Sequence, residues 1–207
     1  MKEKKLDRTE LYEEARKSAG AAILIGLGDF ALLKLGSPIG PVIFSLGLLG
    51  VCYLGQNLFT GKCGFLFEEK DKVKTTLIGL GRILVVNLVV GFLIGRVFSV
   101  ADGGLVEAAA EKVAGWGFSL SFLVKSVLCG VVMFVAVKMY REGTPLGILF
   151  GIPLFIFSGF QHCIANVITL GVAGGWSWFN VSCVLFCALG NFLGSVMMWW
   201  ISRSVKK

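Results

Sequence analysis

The sequence predicts an all-α polytopic membrane protein with six transmembrane helices, the second and fifth of them broken. Three observations lead there: apolar runs too long for a water-soluble core, charge confined to the ends of those runs, and polar interruptions at corresponding places in the two halves. Of the 207 residues, 56% are hydrophobic and only 16% charged, and the mean hydropathy is +0.81. A soluble domain of this length has no way to bury so much apolar surface, so lipid is the expected solvent.

The spans read as 18–35, 40–66, 75–99, 118–140, 144–171 and 178–202. Each is near or above the length of about 20 apolar residues that a hydrocarbon layer about 30 Å thick demands. The net charge of +7 does not point to nucleic acid, because no basic stripe interleaves with aromatic residues. The basic residues sit in the caps between apolar runs, where they act as topology determinants. With the N-terminus inside, only four of the 20 Lys and Arg residues (Lys34, Arg96, Lys112 and Lys125) fall outside. That bias predicts cytoplasmic N- and C-termini in a cell (inner or plasma) membrane. Trp116, Trp176 and Trp178 then mark the outer interface, and Trp199 and Trp200 the inner one.

Residues 1–17 are polar and mixed in sign, unlike a signal peptide. They are expected to form a cytoplasmic amphipathic helix on the membrane surface, with Leu6, Leu11 and Tyr12 on its apolar side. The channel domain then covers 18–203, followed by a short cytoplasmic tail at 204–207.

The two breaks are Gln56-Asn57-Leu58-Phe59-Thr60-Gly61 in span two and Ser158-Gly159-Phe160-Gln161-His162-Cys163 in span five. Spans three and six carry the similar elements Asn87-Leu88-Val89-Val90-Gly91 and Asn191-Phe192-Leu193-Gly194. Three spans per half place the halves in opposite orientations, an inverted 3+3 repeat with paired broken helices, as in an aquaporin-like plan. Non-helical backbone inside hydrocarbon is tolerated only where protein or a water-filled cavity satisfies it, so the breaks should face each other along a path. Half-helix N-termini there would offer partial positive charge to an anion. No span sets a ring of carboxylates at midplane for a cation.

His162, the single histidine, lies in the second break. An ionisable side chain inside a membrane is costly unless it faces a cavity, and an imidazole changes charge near neutral pH. Thr60 either donates a hydrogen bond to a ligand or to His162, or serves as a helix cap. Asp29, an acid within span one, reads as structural, with Lys34, Arg96 or a neighbouring subunit as its partner. The six cysteines show no disulfide or CxxC pattern. Cys183 and Cys187 lie one turn apart without a His or carboxylate beside them, so neither metal nor cofactor is expected. A membrane enzyme would need a catalytic set that one histidine and scattered acids do not supply.

The segment Ser158-Gly159-Phe160-Gln161-His162-Cys163-Ile164-Ala165-Asn166 resembles the SGFEHSIAN segment of the formate/nitrite transporter family. Leu58-Phe59-Thr60-Gly61 resembles that family's LFTG loop, and Gly190-Asn191 its last-helix Gly-Asn pair. The resemblance covers nearly the whole chain. It implies a homopentamer in which each protomer has its own pore, with two hydrophobic constrictions flanking the histidine. Carried over by position, Phe44, Leu48, Leu58 and Phe59 form the cytoplasmic constriction and Phe155 belongs to the outer one, although core packing would also account for these side chains. The resemblance places the family's lysine, at the start of the fourth span, at Lys112, with Lys125 as a competitor. Asn166 closes the histidine segment on the substrate path. The chain departs from the family where Gly130 replaces an asparagine of span four, with two extra residues between it and Lys112.

The implied function is passage of small monovalent anions and their conjugate weak acids (the formate, nitrite and hydrosulfide class), with or without proton coupling through the histidine. The alternative is an aquaporin-like pore for small neutral solutes. That pore's paired Asn-Pro-Ala signatures are absent, and Pro38, Pro41, Pro145 and Pro153 all lie outside the breaks.

Overall fold

The computed structural model describes residues 7–203. Nine α-helices are present among them: α1 (Arg8–Leu35), α2 (Ile39–Tyr53), α3 (Phe59–Lys62), α4 (Val73–Ala101), α5 (Leu105–Ala114), α6 (Leu120–Arg141), α7 (Leu146–Phe157), α8 (Cys163–Ala173) and α9 (Trp178–Ser202). Four of them, α1, α4, α6 and α9, are long and apolar enough to cross a membrane, while α2, α7 and α8 are shorter apolar helices. At 1.5 Å per residue even the 22-residue α6 reaches about 33 Å.

Residues 8–17 differ from the expected surface helix. They are the first turns of α1, which starts with a capping box, Asp7 accepting from the Glu10 amide and Glu10 from the Asp7 amide. Glu14 accepts two hydrogen bonds from Arg82 of α4, so this segment packs against its neighbour. Residues 1–6 and the tail at 204–207 lie outside the described residues. Lys112 also sits differently: it belongs to the separate short helix α5, not to the start of the fourth span.

Both expected breaks are present and share one construction. α2 ends with Gly55 at φ 60° and α7 with Gly159 at φ 66°. In each, the next amide reaches back over the last turn, Gln56 to the Val51 carbonyl at 2.8 Å and Phe160 to the Phe155 carbonyl at 2.9 Å. This is a Schellman ending, and its left-handed residue favours glycine because a Cβ is disfavoured there. The chain then runs extended through Leu58 in one half and His162 in the other before turning helical again.

Two asparagine carboxamides hold these restarts. Asn87 Oδ1 accepts the Phe59 amide at 2.9 Å, while its Nδ2 donates to the carbonyls of Ser18 and Asn57. Asn191 Oδ1 accepts the Cys163 amide at 2.9 Å, while its Nδ2 donates to the carbonyls of Ser126 and Gln161. The separation from restart to asparagine is 28 residues in both halves. Ser18 and Ser126, whose carbonyls take part, each bond the carbonyl one turn back through their hydroxyl.

Helices pack backbone to backbone where glycine allows. A Cβ at Gly95 of α4 would collide with the Ile168 carbonyl of α8, and one at Gly194 of α9 with the Val127 carbonyl of α6. Small residues at such crossings let apolar helices gain van der Waals contact that lipid cannot supply. Phe44, Leu48, Leu58, Ile148, Ile152, Ile164 and Ile168 fill the centre. At one end of the bundle Lys34 is hydrogen-bonded to Asp102, which holds the Asp102 carboxyl below the usual carboxylate range. That link is present at neutral pH and is lost as pH falls through the lowered value. At the other end Arg141 makes a two-pronged contact with Glu68, and Arg203 stacks on Trp200.

Two outcomes are expected in detergent. Asn191→Ala leaves the Cys163 amide and the Gln161 carbonyl without their side-chain partner and costs about 2–4 kcal/mol, lowering the apparent melting temperature by about 5 °C or more. An unchanged melting temperature would show that the carboxamide does not hold the restart. Gly95→Ala destabilises through its collision, whereas Gly81→Ala, which meets open space, gains the usual helix preference of about 1 kcal/mol. Equal melting shifts for the two variants contradict the close packing.

Candidate functional site

The two breaks meet in a buried pair. Thr60 Oγ1 and His162 Nε2 lie 2.8 Å apart, and both residues are almost wholly enclosed. The other ring nitrogen, Nδ1, accepts the Ala165 amide at 3.1 Å, so His162 is itself the N-cap of α8. An Nδ1 that accepts carries no hydrogen, which assigns the neutral tautomer with its proton on Nε2. Nε2 therefore donates to the Thr60 hydroxyl, whose own proton stays available for another acceptor. Of the two sequence readings of Thr60, the bond to His162 is observed, with the direction reversed. Leu58 caps α3, and Thr60 sits one position inside it.

The first turns of the half-helices are less open than expected. The Phe59 and Cys163 amides are taken by the asparagines, and Ala165 by the imidazole. The Asn166 amide bonds the His162 carbonyl at 2.8 Å. These four amides therefore point at protein acceptors and are not free for an anion.

On one side of His162 opens a cleft of about 240 Å³. Its wall brings together four of the sequence-predicted residues, His162, Lys112, Asn166 and Phe155, and adds a fifth, Phe44. Phe44 meets Phe155 edge to face at 6.0 Å, and Phe155 lies 5.9 Å from the imidazole. Phe44 thus groups with Phe155 on the Lys112 side and not with Leu48, Leu58 and Phe59. Those three are buried in the core outside this cleft. Phe44 and Leu48 lie on one face of α2 a turn apart along its axis, and Leu48 stands one turn nearer the break, away from the cleft.

Lys112 is exposed at the cleft. Lys125, its competitor, approaches Gly159 instead and gives its backbone carbonyl to the Gln161 amide. Asn166 Nδ2 donates to Gln161 Oε1 at 3.0 Å, so two neutral amide side chains are fixed beside the histidine. Gly130 abuts α9, and any side chain there would collide with the Asn191 carbonyl, which leaves no room for the family's asparagine.

Three residues of this region have partners that the sequence reading did not assign. Asn87 and Asn191 were visible as a repeat, but their role in holding the restarts was not. Asp29 pairs with neither Lys34 nor Arg96, since Lys34 binds Asp102 and Arg96 donates to the Gly171 carbonyl. It lines the cleft together with Lys112 and accepts from Thr169 Oγ1 at 2.9 Å.

Comparison with known proteins places this geometry. The chain is 28% identical over 191 residues to the uncharacterised transporter YrhG of Bacillus subtilis, covering 83% of this chain and 68% of the relative. It is 29% identical over 177 residues to the formate channel FocA of Haemophilus influenzae, covering 72% of this chain and 62% of that channel's length. To the nitrite transporter NirC of Salmonella typhimurium it is 27% identical over 209 residues, covering 88% and 74%. Among solved structures, a pentameric formate channel with formate bound superposes with a TM-score of 0.79 at 20% identity, covering 95% of this chain and 98% of the other. An ion channel of the FNT family also superposes at 0.79, with 21% identity, covering 93% and 91%. The formate/nitrite transporter family model matches residues 10–203, and the chain belongs to that family.

Proposed function

We propose that this multi-pass membrane protein conducts small monovalent anions of the formate and nitrite class, which cross its narrowest part as their conjugate weak acids. The observation that carries the reading is the bonded Thr60–His162 pair beneath an aromatic neck, with a lysine-bearing cleft above it. The family and the formate and nitrite proteins among its relatives supply the substrate class.

In this reading the six spans are α1, α2 with α3, α4, α6, α7 with α8, and α9, and the two halves run in opposite senses. The matched glycine endings and asparagine clamps support that inverted repeat. The basic-residue bias puts the termini in the cytoplasm and the Lys112 cleft outside. A homopentamer, with one path in each protomer, is supported by the pentameric solved relative. It also fits the exposed apolar stripe of Val85, Val89, Leu93 and Val97 on α4.

Lys112 concentrates anions at the mouth, and the Gln161 and Asn166 amides replace part of their hydration. Phe44 and Phe155 then face the permeant with rings that replace none of it. A bare anion pays its full desolvation cost there, whereas a neutral acid carries no such charge. Past the neck, the Thr60 hydroxyl has a proton to offer an oxygen or sulfur acceptor. Leu48, Leu58 and Phe59 make the second, inner narrowing.

In proteoliposomes, stopped-flow light scattering should report rapid formate uptake that accelerates as external pH falls, and no comparable glycerol flux. Faster glycerol than formate would favour a neutral-solute pore. His162→Phe removes the ring N–H that orients Thr60 and should lower formate flux by about tenfold or more, the equivalent of one lost hydrogen bond. Unchanged flux and pH response in that variant would remove the imidazole from the mechanism.

A further inference from the structure

Asp29 is the one fully buried carboxylate among the described residues, and the path described so far makes no use of it. It projects from α1 into the same cleft as Lys112 and His162, and it is the only acid lining that cleft among the described residues. A carboxylate oxygen pair accepts at about four sites. Asp29 receives one protein hydrogen bond, from Thr169 of α8. An acid so placed in a membrane bundle is costly to keep unless a counter-charge or a function offsets it.

The groups around it narrow what that function is. From α5 comes Lys112, the only lysine or arginine of the cleft wall among the described residues. From the start of α8 comes His162, whose two nitrogens are committed to Ala165 and Thr60. On α4, Arg96 is turned to the Gly171 carbonyl, and on α6 Lys125 lies by Gly159. α2 contributes Phe44, which does not titrate, and on α1 itself Lys34 is engaged with Asp102. The electrostatics of the cleft therefore reduce to one cation and one acid. With Asp29 ionised the pair sums to zero and a third charge, an incoming anion, is attracted weakly. With Asp29 protonated the cleft carries one uncompensated positive charge.

We propose that Asp29 is the proton-binding partner of the captured anion, so that the cleft takes up one proton and one anion together. The inference rests on the transport reading above and deepens it. A proton from the outer water binds the Asp29 carboxylate while the anion settles on Lys112. The Asp29 O–H bond then breaks as the same proton bonds to the substrate. The carboxylate is restored, and a neutral acid is left facing Phe44 and Phe155. Thr169 positions the carboxylate, and its hydroxyl bond steadies the charged form.

Chloride separates the protein's proton from the substrate's, because chloride does not itself protonate in this range. In proteoliposomes of the full chain, chloride inhibition of formate uptake should weaken with rising pH, by up to about tenfold in Ki per pH unit, as linkage of one proton to one anion requires. Asp29→Asn should give a Ki that is low and flat from pH 5.5 to 8. Asp29→Glu should restore the slope, which guards against a merely misfolded variant. Thr169→Val should move the slope to higher pH. A wild-type Ki that ignores pH, a wild-type slope surviving in Asp29→Asn, or no chloride inhibition at any pH overturns the proposal. If wild-type vesicles take up no formate beyond protein-free ones, it is the transport reading itself that fails.

Discussion

The rest of the molecule depends on one constraint: two helices stop and restart inside a bundle of apolar helices, and every amide and carbonyl freed there needs a partner. An unpaired backbone group in such surroundings costs several kcal/mol. The chain meets the constraint twice with the same parts. A glycine in the left-handed region lets the first half-helix close on its own carbonyls. An asparagine 28 residues after the restart then accepts the first amide of the second half-helix and donates to two more carbonyls. A carboxamide suits this place because it carries an acceptor and two donors without charge. An aspartate in its position would lack the donors and bring a charge into the bundle.

From that clamp follows the location of His162. The residue before each restart is extended and lies at the centre of the bundle, Leu58 in one half and His162 in the other. In the first half the position is filled by an apolar side chain. In the second, the imidazole caps α8 through Nδ1 and thereby has its tautomer and its direction set together. Thr60, one residue inside the restart of the opposite half, is delivered to it at 2.8 Å. The pair is thus a consequence of backbone satisfaction, and its chemistry is whatever that geometry leaves free: one hydroxyl proton, in a place nearly closed to solvent.

Much of this was legible in the sequence, and the rest was hidden for identifiable reasons. The breaks stood out because Gln56-Asn57 and Gln161-His162 interrupt runs of apolar residues, and period and polarity are local properties. The residue set of the cleft was reached through the family resemblance: Phe44 and Phe155 by their spacing from the matched motifs, and Lys112 by its local resemblance, with Lys125 as a competitor. What stayed hidden was long-range. Asp29 meets its hydroxyl partner Thr169 across 140 residues of chain, and no pattern within α1 announces it. The grouping of Phe44 with Phe155 depends on which turn of α2 ends beside the break. The helix containing Lys112 is ten residues long and amphipathic, so it dissolves into a connection when spans are counted by hydropathy alone. That the Phe59 and Cys163 amides are already bonded was hidden too, because the asparagines that accept them lie on other helices.

The arrangement of hydrogen-bonding capacity also bears on where a moving proton resides. An imidazole relays a proton by holding one at each nitrogen in turn, which requires that both be free to change partner. Here Nδ1 is the acceptor that ends α8, and a second ring proton would set an N–H against the Ala165 N–H. Charging the ring therefore entails undoing the cap of the half-helix that carries it. A fixed neutral donor is the role this bonding pattern favours, and the group that binds and releases a proton is better sought where its partner is a hydroxyl that can reorient. Within the cleft that description fits Asp29 and Thr169, which share its wall with Lys112. In the proposed uptake the permeant gains its proton inside the cleft that Phe44 and Phe155 also line. Under that proposal the anion is neutralised where the Phe44 and Phe155 rings replace none of its hydration, which is what the cost of desolvation demands.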